Sequence, residues 1–260
     1  VHMKLKWYGT ATLLLESENT RILIDPYFRR NKKLPPLPLE EAATADAVFI
    51  THPHIDHFSD IAKFLEAGIP KCFVSQGGID RIAKLGVDTD KMTAYKAGDE
   101  IAVGNFTVKV HQGKHCVFDA GTLARIALSP RTYLMLPRSI RLLHGMREYK
   151  MQDDEIYTLE ISDGLKTVTV LGSAGMTDDA QYPAGTDMLV FPYQGRTKMH
   201  KYMVPFLQRF APKAVLADHF DNAFPPFSHT VSTKKFERTV KSVLPEAQAI
   251  VPQENKWIQV

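Results

Sequence analysis

Seven consecutive residues, Thr51-His52-Pro53-His54-Ile55-Asp56-His57, constrain this chain more than any other feature in it. They follow the apolar run Ala47 to Ile50, which reads as a buried strand. In extended backbone, residues two apart project to the same side, so His52 and His54 can grip one ion together. Asp56 and His57 come where the chain turns, and face a second position. Neutral imidazole and carboxylate suit zinc, manganese or iron, and a tight loop after a rigid strand fixes their geometry. The plain alternative is a solvated polar loop between strand and helix, and the density of the pattern weighs against it.

The rest of the composition narrows the ligand set. Two cysteines, Cys72 and Cys116, are too few for a disulfide framework or a four-cysteine zinc site, so any metal is held by histidine and carboxylate. Lys plus Arg number 32 against 29 Asp plus Glu, a net charge of +3, which argues against nucleic-acid binding through bulk charge. No apolar run approaches the roughly 18 residues of a membrane span, and no targeting segment is recognisable, so a cytoplasmic location is expected. Val1 and His2 stand directly before Met3 and read as a remnant ahead of a natural start, so His2 carries no weight.

Strands are expected at Lys4 to Tyr8, Ala11 to Ser17, Thr20 to Ile24 and Ala47 to Ile50, a meander feeding one sheet. Pro35, Pro36 and Pro38 mark a surface loop. A helix capped by Ser59 or Asp60 and stopped at Gly68 follows, then a strand at Lys71 to Ser75 and a short helix at Ile79 to Leu85. Phe106 to Val110 reads as a strand, and Tyr157 to Ile161 with Thr167 to Leu171 reads as a hairpin through Asp163-Gly164. The last third carries a helix at Tyr202 to Phe210, a short strand at Ala214 to Ala217 and an amphipathic helix at Thr233 to Val243. With no residue-level repeat, the expectation is one α/β domain, residues 1–260, of two similar halves.

The His-rich motif at the end of a core strand resembles the signature of the metallo-β-lactamase superfamily. The opening Leu5-Lys6-Trp7-Tyr8-Gly9-Thr10-Ala11 and Ile22-Leu23-Ile24-Asp25-Pro26 are similar to its N-terminal meander. The resemblance implies a four-layer αββα sandwich with metal ligands on loops at one edge, one or two divalent ions, zinc foremost with manganese or iron as alternatives, and further ligands downstream. Val108-Lys109-Val110-His111-Gln112-Gly113-Lys114-His115 offers two candidates for the next ligand, and the distance beyond the strand favours His115 over His111. Ala214-Val215-Leu216-Ala217-Asp218-His219 makes His219 the last. His52, His54 and His115 are thus expected to form the tighter site, with Asp56, His57 and His219 the second.

One departure matters. Where the family commonly places a bridging Asp, Leu171-Gly172-Ser173-Ala174-Gly175 has Ser173, a poor ligand near neutral pH, which weakens the case for two ions without removing it. Asp178 and Asp179 could substitute, but read more simply as a solvated helix start. Asp25 resembles the family's buried carboxylate that orients ligand histidines; a turn-forming Asp before Pro26 is the equal alternative. Cys116 reads as a buried inert thiol, and His144, His200 and His229 as surface or packing residues, with His229 at the rim as an option.

Three histidines with an open ligand position acidify a coordinated water to a pKa of about 7, which makes hydrolysis the economical chemistry. In that scheme His219 helps stabilise the oxyanion, and Asp56 orients the nucleophile or carries its proton. Within the superfamily the chain is most similar to the compact branch related to L-ascorbate-6-phosphate lactonase, which implies an ester or lactone substrate. A phosphodiesterase and a non-hydrolytic iron-dependent metalloprotein are the alternatives. The segment 119–150 reads as an insertion, with six basic residues against Asp119 and Glu148, a local charge of +4. As a lid broken at Pro130 and Pro137 it would bring Arg138 or Arg141 to an anionic small-molecule substrate. The competing reading is an oligomer interface, hence a homo-oligomer, or a solvated helix face.

Overall fold

The computed structural model describes residues 3–178 and 181–260; His2 and Asp179 lie outside them. The chain begins with β1 (Lys4–Gly9), β2 (Thr12–Ser17), β3 (Thr20–Ile24), α1 (Leu39–Ala42) and β4 (Ala47–Phe49). It continues through α2 (Ile55–Phe58), α3 (Ile61–Glu66), β5 (Cys72–Val74), α4 (Gln76–Lys84) and β6 (Met92–Ala94). Next come β7 (Glu100–Val103), β8 (Phe106–Gln112), α5 (Ala120–Leu128), α6 (Pro130–Leu134), α7 (Leu136–Glu148), β9 (Tyr157–Ser162) and β10 (Thr167–Leu171). The last stretch holds β11 (Met188–Pro192), α8 (Met199–Tyr202), α9 (Val204–Phe210), β12 (Ala214–Asp218), α10 (Lys234–Val243), β13 (Gln248–Ile250) and β14 (Trp257–Gln259).

Two seven-stranded sheets result, ordered β14-β1-β2-β3-β4-β5-β6 and β13-β12-β11-β10-β9-β8-β7. Each has four strands linked antiparallel and then three added in parallel. The two halves therefore repeat one topology, with β14 taking in the first sheet the place that β7 takes in the second. Met3, Leu13, Phe49, Val108, Leu159 and Leu216 belong to one buried cluster that draws on both sheets, so the main core lies between them. Phe58, Phe64 and Ile82 pack on the outer face of the first sheet, and Phe206, Phe210 and Phe236 on that of the second. This is the expected αββα layering.

Several local expectations are refined. Asp60 precedes α3 but its side chain does not cap it; the carboxylate accepts instead from Phe28 N and Arg30 Nη2. Helix α4 starts three residues earlier than its apolar pattern suggests, because Ser75 Oγ accepts from Gly78 N at 3.1 Å and caps it there. The helices of the 119–150 segment break where Pro130 and Pro137 stand, and each proline sits in the first turn of the next helix, where its missing N–H costs nothing. Between β1 and β2 only Thr10 and Ala11 intervene, whereas the matching connection from β8 to β9 runs from Gly113 to Ile156. No helix among the described residues is long and apolar enough to cross a membrane.

Candidate metal centre

The parallel strands deliver the chemistry at their carboxyl ends, as open α/β sheets do. Asp25 follows β3, the His-rich loop follows β4, Ser173 follows β10 and His219 follows β12. His115 arrives from the long β8 to β9 connection. The structure gathers His52, His54 and His115 into one triad and Asp56, His57 and His219 into another, with the donor atoms in each within 4.8 Å of one another. The triads adjoin: the His52 and His57 rings are 3.9 Å apart.

Buried neighbours set which ring nitrogen faces inward. His57 Nδ1 donates to Asp25 Oδ2 at 2.7 Å, and His115 Nδ1 donates to the Cys116 carbonyl at 2.8 Å. The Thr51 hydroxyl donates to Asp25 Oδ2 at 2.5 Å and so accepts from His52 Nδ1, 3.1 Å away. Thr51 N also donates to Asp25 Oδ1 at 2.7 Å, so one buried carboxylate holds His57 of one triad directly and His52 of the other through Thr51. In His52, His57 and His115, Nε2 is left for the centre. Asp25 takes this role from a left-handed backbone (φ 46°), as His219 does its own (φ 59°), and such non-glycine outliers concentrate at functional sites.

Burial pushes His52 well below the usual imidazole range, His54 down to about 3, and lowers His115. The neutral ring is the form that lends a lone pair to a metal. Burial alone would raise Asp56, yet the His57 and His219 imidazoles outweigh it and hold the carboxyl well below its ordinary range. His219 moves the other way, up to about 10: burial opposes its charge, but Asp218 and Asp56 on either side prevail. The donor spacing fits a shared cation. Asp56 Oδ2 lies 3.6 Å from His219 Nε2 and 3.8 Å from His57 Nε2, too far for good hydrogen bonds. Two ligands each about 2.1 Å from one tetrahedral ion stand about 3.4 Å apart. His219 Nδ1 is buried with no hydrogen-bond partner, 3.6 Å from Asp218 Oδ2.

Above both triads opens a cavity of about 180 Å³. Ser173 lines it, and its hydroxyl accepts from Cys116 N at 3.0 Å, fixing the chain next to His115. Gly172 permits this approach, since a Cβ there would lie 2.5 Å from the Tyr157 carbonyl and 2.6 Å from Thr51 Cβ. Cys116 also lines the cavity, but burial pushes its thiol up to about 11, so it is not a thiolate near neutral pH. His111 is turned to Glu160, 2.8 Å away, outside both triads. His144 is exposed beside Glu148, while His229 is a cavity residue.

Of the basic residues in the 119–150 segment, Arg125 lines the cavity. Arg138 and Arg141 lie outside it: the Arg138 guanidinium donates to the Arg30 carbonyl, and Arg141 is exposed on α7. Sequence reasoning gave no role to Thr51, Asp218, Gln194 or the aromatic wall of Phe118, Phe224 and Phe227. An Asp-His pair closing an apolar strand was an available signal for Asp218; the aromatic wall has none, because it is assembled only by tertiary packing.

Comparison with known proteins agrees with this architecture. Residues 4–219 match the family described as Beta-lactamase superfamily domain. A UPF0173 protein of Pyrococcus abyssi is 32% identical over 118 residues, covering 44% of this chain and 50% of that protein. A UPF0173 metal-dependent hydrolase of Salinibacter ruber is 38% identical over 68 residues, 26% of this chain and 29% of its own. The chain thus spans half or less of the length of these curated relatives. Among solved structures, Igni18, a metallo hydrolase from the archaeon Ignicoccus hospitalis, superposes with a TM-score of 0.69 at 16% identity, over 100% of this chain and 99% of that one, which establishes likeness of fold. The family match covers most of the chain, so this protein belongs to the beta-lactamase superfamily and has the metallo-β-lactamase fold.

Proposed function

We propose that this protein is a metal-dependent hydrolase that cleaves an ester or lactone of a small molecule, with zinc the preferred ion. The observation that carries the reading is the pair of adjoining triads whose donor atoms converge without hydrogen-bonding one another. The name metal-dependent hydrolase, borne by the Salinibacter relative, agrees with it.

In this reading Nε2 of His52 and His115 and the His54 ring hold the tighter ion, and Asp56, His57 and His219 hold a second, weaker one. When bound, the divalent ions supply Lewis-acid polarisation of the scissile group and an acidified water nucleophile. Asp25 fixes His57 and, through Thr51, His52, so the rings need no reorganisation on binding. The Asp56 carboxylate oxygen not turned to His57 and His219 would orient the attacking water and pass its proton towards the leaving oxygen. Asp218, 3.6 Å from His219 Nδ1, places its charge behind the ring and leaves Nε2 facing the second ion. Phe118, Ile126, Phe224 and Phe227 exclude bulk water from the same space.

The test is a panel of 4-nitrophenyl esters, simple lactones and bis(4-nitrophenyl) phosphate, run on metal-stripped protein before and after zinc or manganese is restored. Ester or lactone turnover that returns with the metal supports the proposal. Turnover of the phosphodiester alone replaces it with the phosphodiesterase alternative, and no metal-dependent turnover refutes it.

A further inference from the structure

The cavity over the triads has a division of labour in its walls. The large apolar residues that line it are Phe118, Ile126, Met146, Phe224 and Phe227. Asp56 is the sole carboxylate among the described lining residues, and it faces His57 and His219. Arg125 is the sole lining guanidinium, and among the described residues no ion pair engages it. The nearest acid in sequence, Asp119, is spent on Thr122 N at 2.8 Å and on Thr197, whose N and Oγ1 donate at 3.0 and 2.7 Å.

The position of Arg125 is built. Thr122, Arg125 and Ile126 share one face of α5 by their i, i+3, i+4 spacing, and all three line the cavity. The N-terminus of α5 is clamped to the 195–197 loop by the Asp119 bonds just described, by Arg196 Nη1 donating to the Val117 carbonyl at 2.6 Å, and by Gly121, where a Cβ would lie 2.7 Å from Thr197 Cγ2. His229 also lines the cavity, and burial and the Arg125 charge keep its imidazole below its usual range, so it adds no competing cation. Gln194 Nε2 is committed to the His229 carbonyl at 2.8 Å, which leaves its own carbonyl as an acceptor.

Resting on the hydrolase reading above, we infer that the substrate joins an apolar aliphatic or aromatic body to one oxyanion, a carboxylate or phosphate remote from the bond that is cut, and that Arg125 reads that oxyanion. An exposed guanidinium outside every ion pair of the described residues, beside apolar lining residues, is matched by an oxyanion that takes two parallel N–H bonds. The same cavity offers a neutral isostere only the apolar half of that interaction.

Calorimetric titration of the metal-loaded protein with 4-phenylbutyrate, 3-phenylpropyl phosphate and the neutral 4-phenylbutanamide tests this directly, with thermal melting to verify that each variant is folded. The wild type is expected to bind at least one acid about tenfold or more tighter than the amide, and R125A to lose that margin while changing amide affinity less than about twofold. R125K is expected to fall between, since a point charge keeps the attraction and loses the fork. The acid that binds more tightly identifies the group. Equal affinity for acid and amide in the wild type, or an acid preference that survives R125A because the metal ions alone hold it, overturns the inference. Binding needs no turnover, so the two readings fail separately. A protein that binds as described yet cleaves nothing in the panel refutes the hydrolase reading, and one that cleaves neutral esters without an Arg125-dependent acid preference refutes this inference.

Discussion

His57 Nδ1 donates to Asp25 Oδ2 at 2.7 Å inside the first sheet's carboxyl edge, and the same oxygen accepts from the Thr51 hydroxyl at 2.5 Å. A single buried carboxylate thereby orients a ring in one triad directly and a ring in the other through Thr51.

Asp25→Asn keeps the volume but turns an amide or a poorer acceptor towards His57 Nδ1 and the Thr51 donors. The expected outcome is a 10- to 100-fold loss of zinc affinity, about what outer hydrogen-bond partners of metal ligands contribute. Asp25→Ala should also destabilise the fold by about 3 kcal/mol or more, since three buried donors lose their acceptor. Competition with a chromophoric chelator measures the first effect and denaturant unfolding the second. Unchanged affinity in the Asn variant would show that the rings are held by other contacts.

His115→Ala should abolish the tighter site, whereas His111→Ala should leave metal content intact and disturb only the hydrogen bond with Glu160. Metal analysis after gel filtration of each variant decides between them. Loss of metal in the His111 variant with retention in the His115 variant would reverse the assignment.

Ser173 contributes an acceptor to Cys116 N and no charge. Ser173→Asp should tighten the second ion by about tenfold, because a carboxylate adjoining both triads relieves the repulsion between two cations and adds a ligand. Ser173→Ala should instead weaken the His115 triad severalfold by freeing the chain at Cys116. Two equally tight zinc sites in the unmodified protein, resolved by calorimetry, would contradict the unequal pair on which this expectation rests.

Gly172→Ala drives a methyl group into the Tyr157 carbonyl and Thr51 Cβ. The expected cost is about 1–3 kcal/mol, seen as a fall of several degrees in Tm, together with weaker metal binding because Thr51 is displaced from Asp25. A variant with unaltered Tm would show that β10 can retreat without consequence.

The two triads were legible because their determinants are local. His52 and His54 stand in the loop leaving β4 and Asp56 and His57 in α2, all within six residues of one another, while His115 and His219 each stand just past a readable strand and are picked out by the family resemblance. The central strand β11 escaped because Met188–Pro192 is buried on both faces and shows no alternation. Strand β14 escaped because three residues carry no period, and its partner β1 lies at the other end of the chain, Lys6 opposite Trp257. Arg125, Arg138 and Arg141 share one basic segment, and tertiary packing separates them: α5, tied to Thr197, carries Arg125 at the cavity, while Arg138 is turned to the Arg30 carbonyl.

If the triads hold divalent cations on which hydrolysis depends, the His52→Ala/His54→Ala double variant loses ion and activity together. Metal content by mass spectrometry and turnover of the best ester or lactone are to be measured on the same preparation, beside wild type and with folding verified by circular dichroism. The ion held by His52, His54 and His115 is expected to disappear and turnover to fall at least about a thousandfold, on the order of the loss when core catalytic groups are removed. Full metal occupancy in the double variant, or turnover that persists without metal, would contradict it.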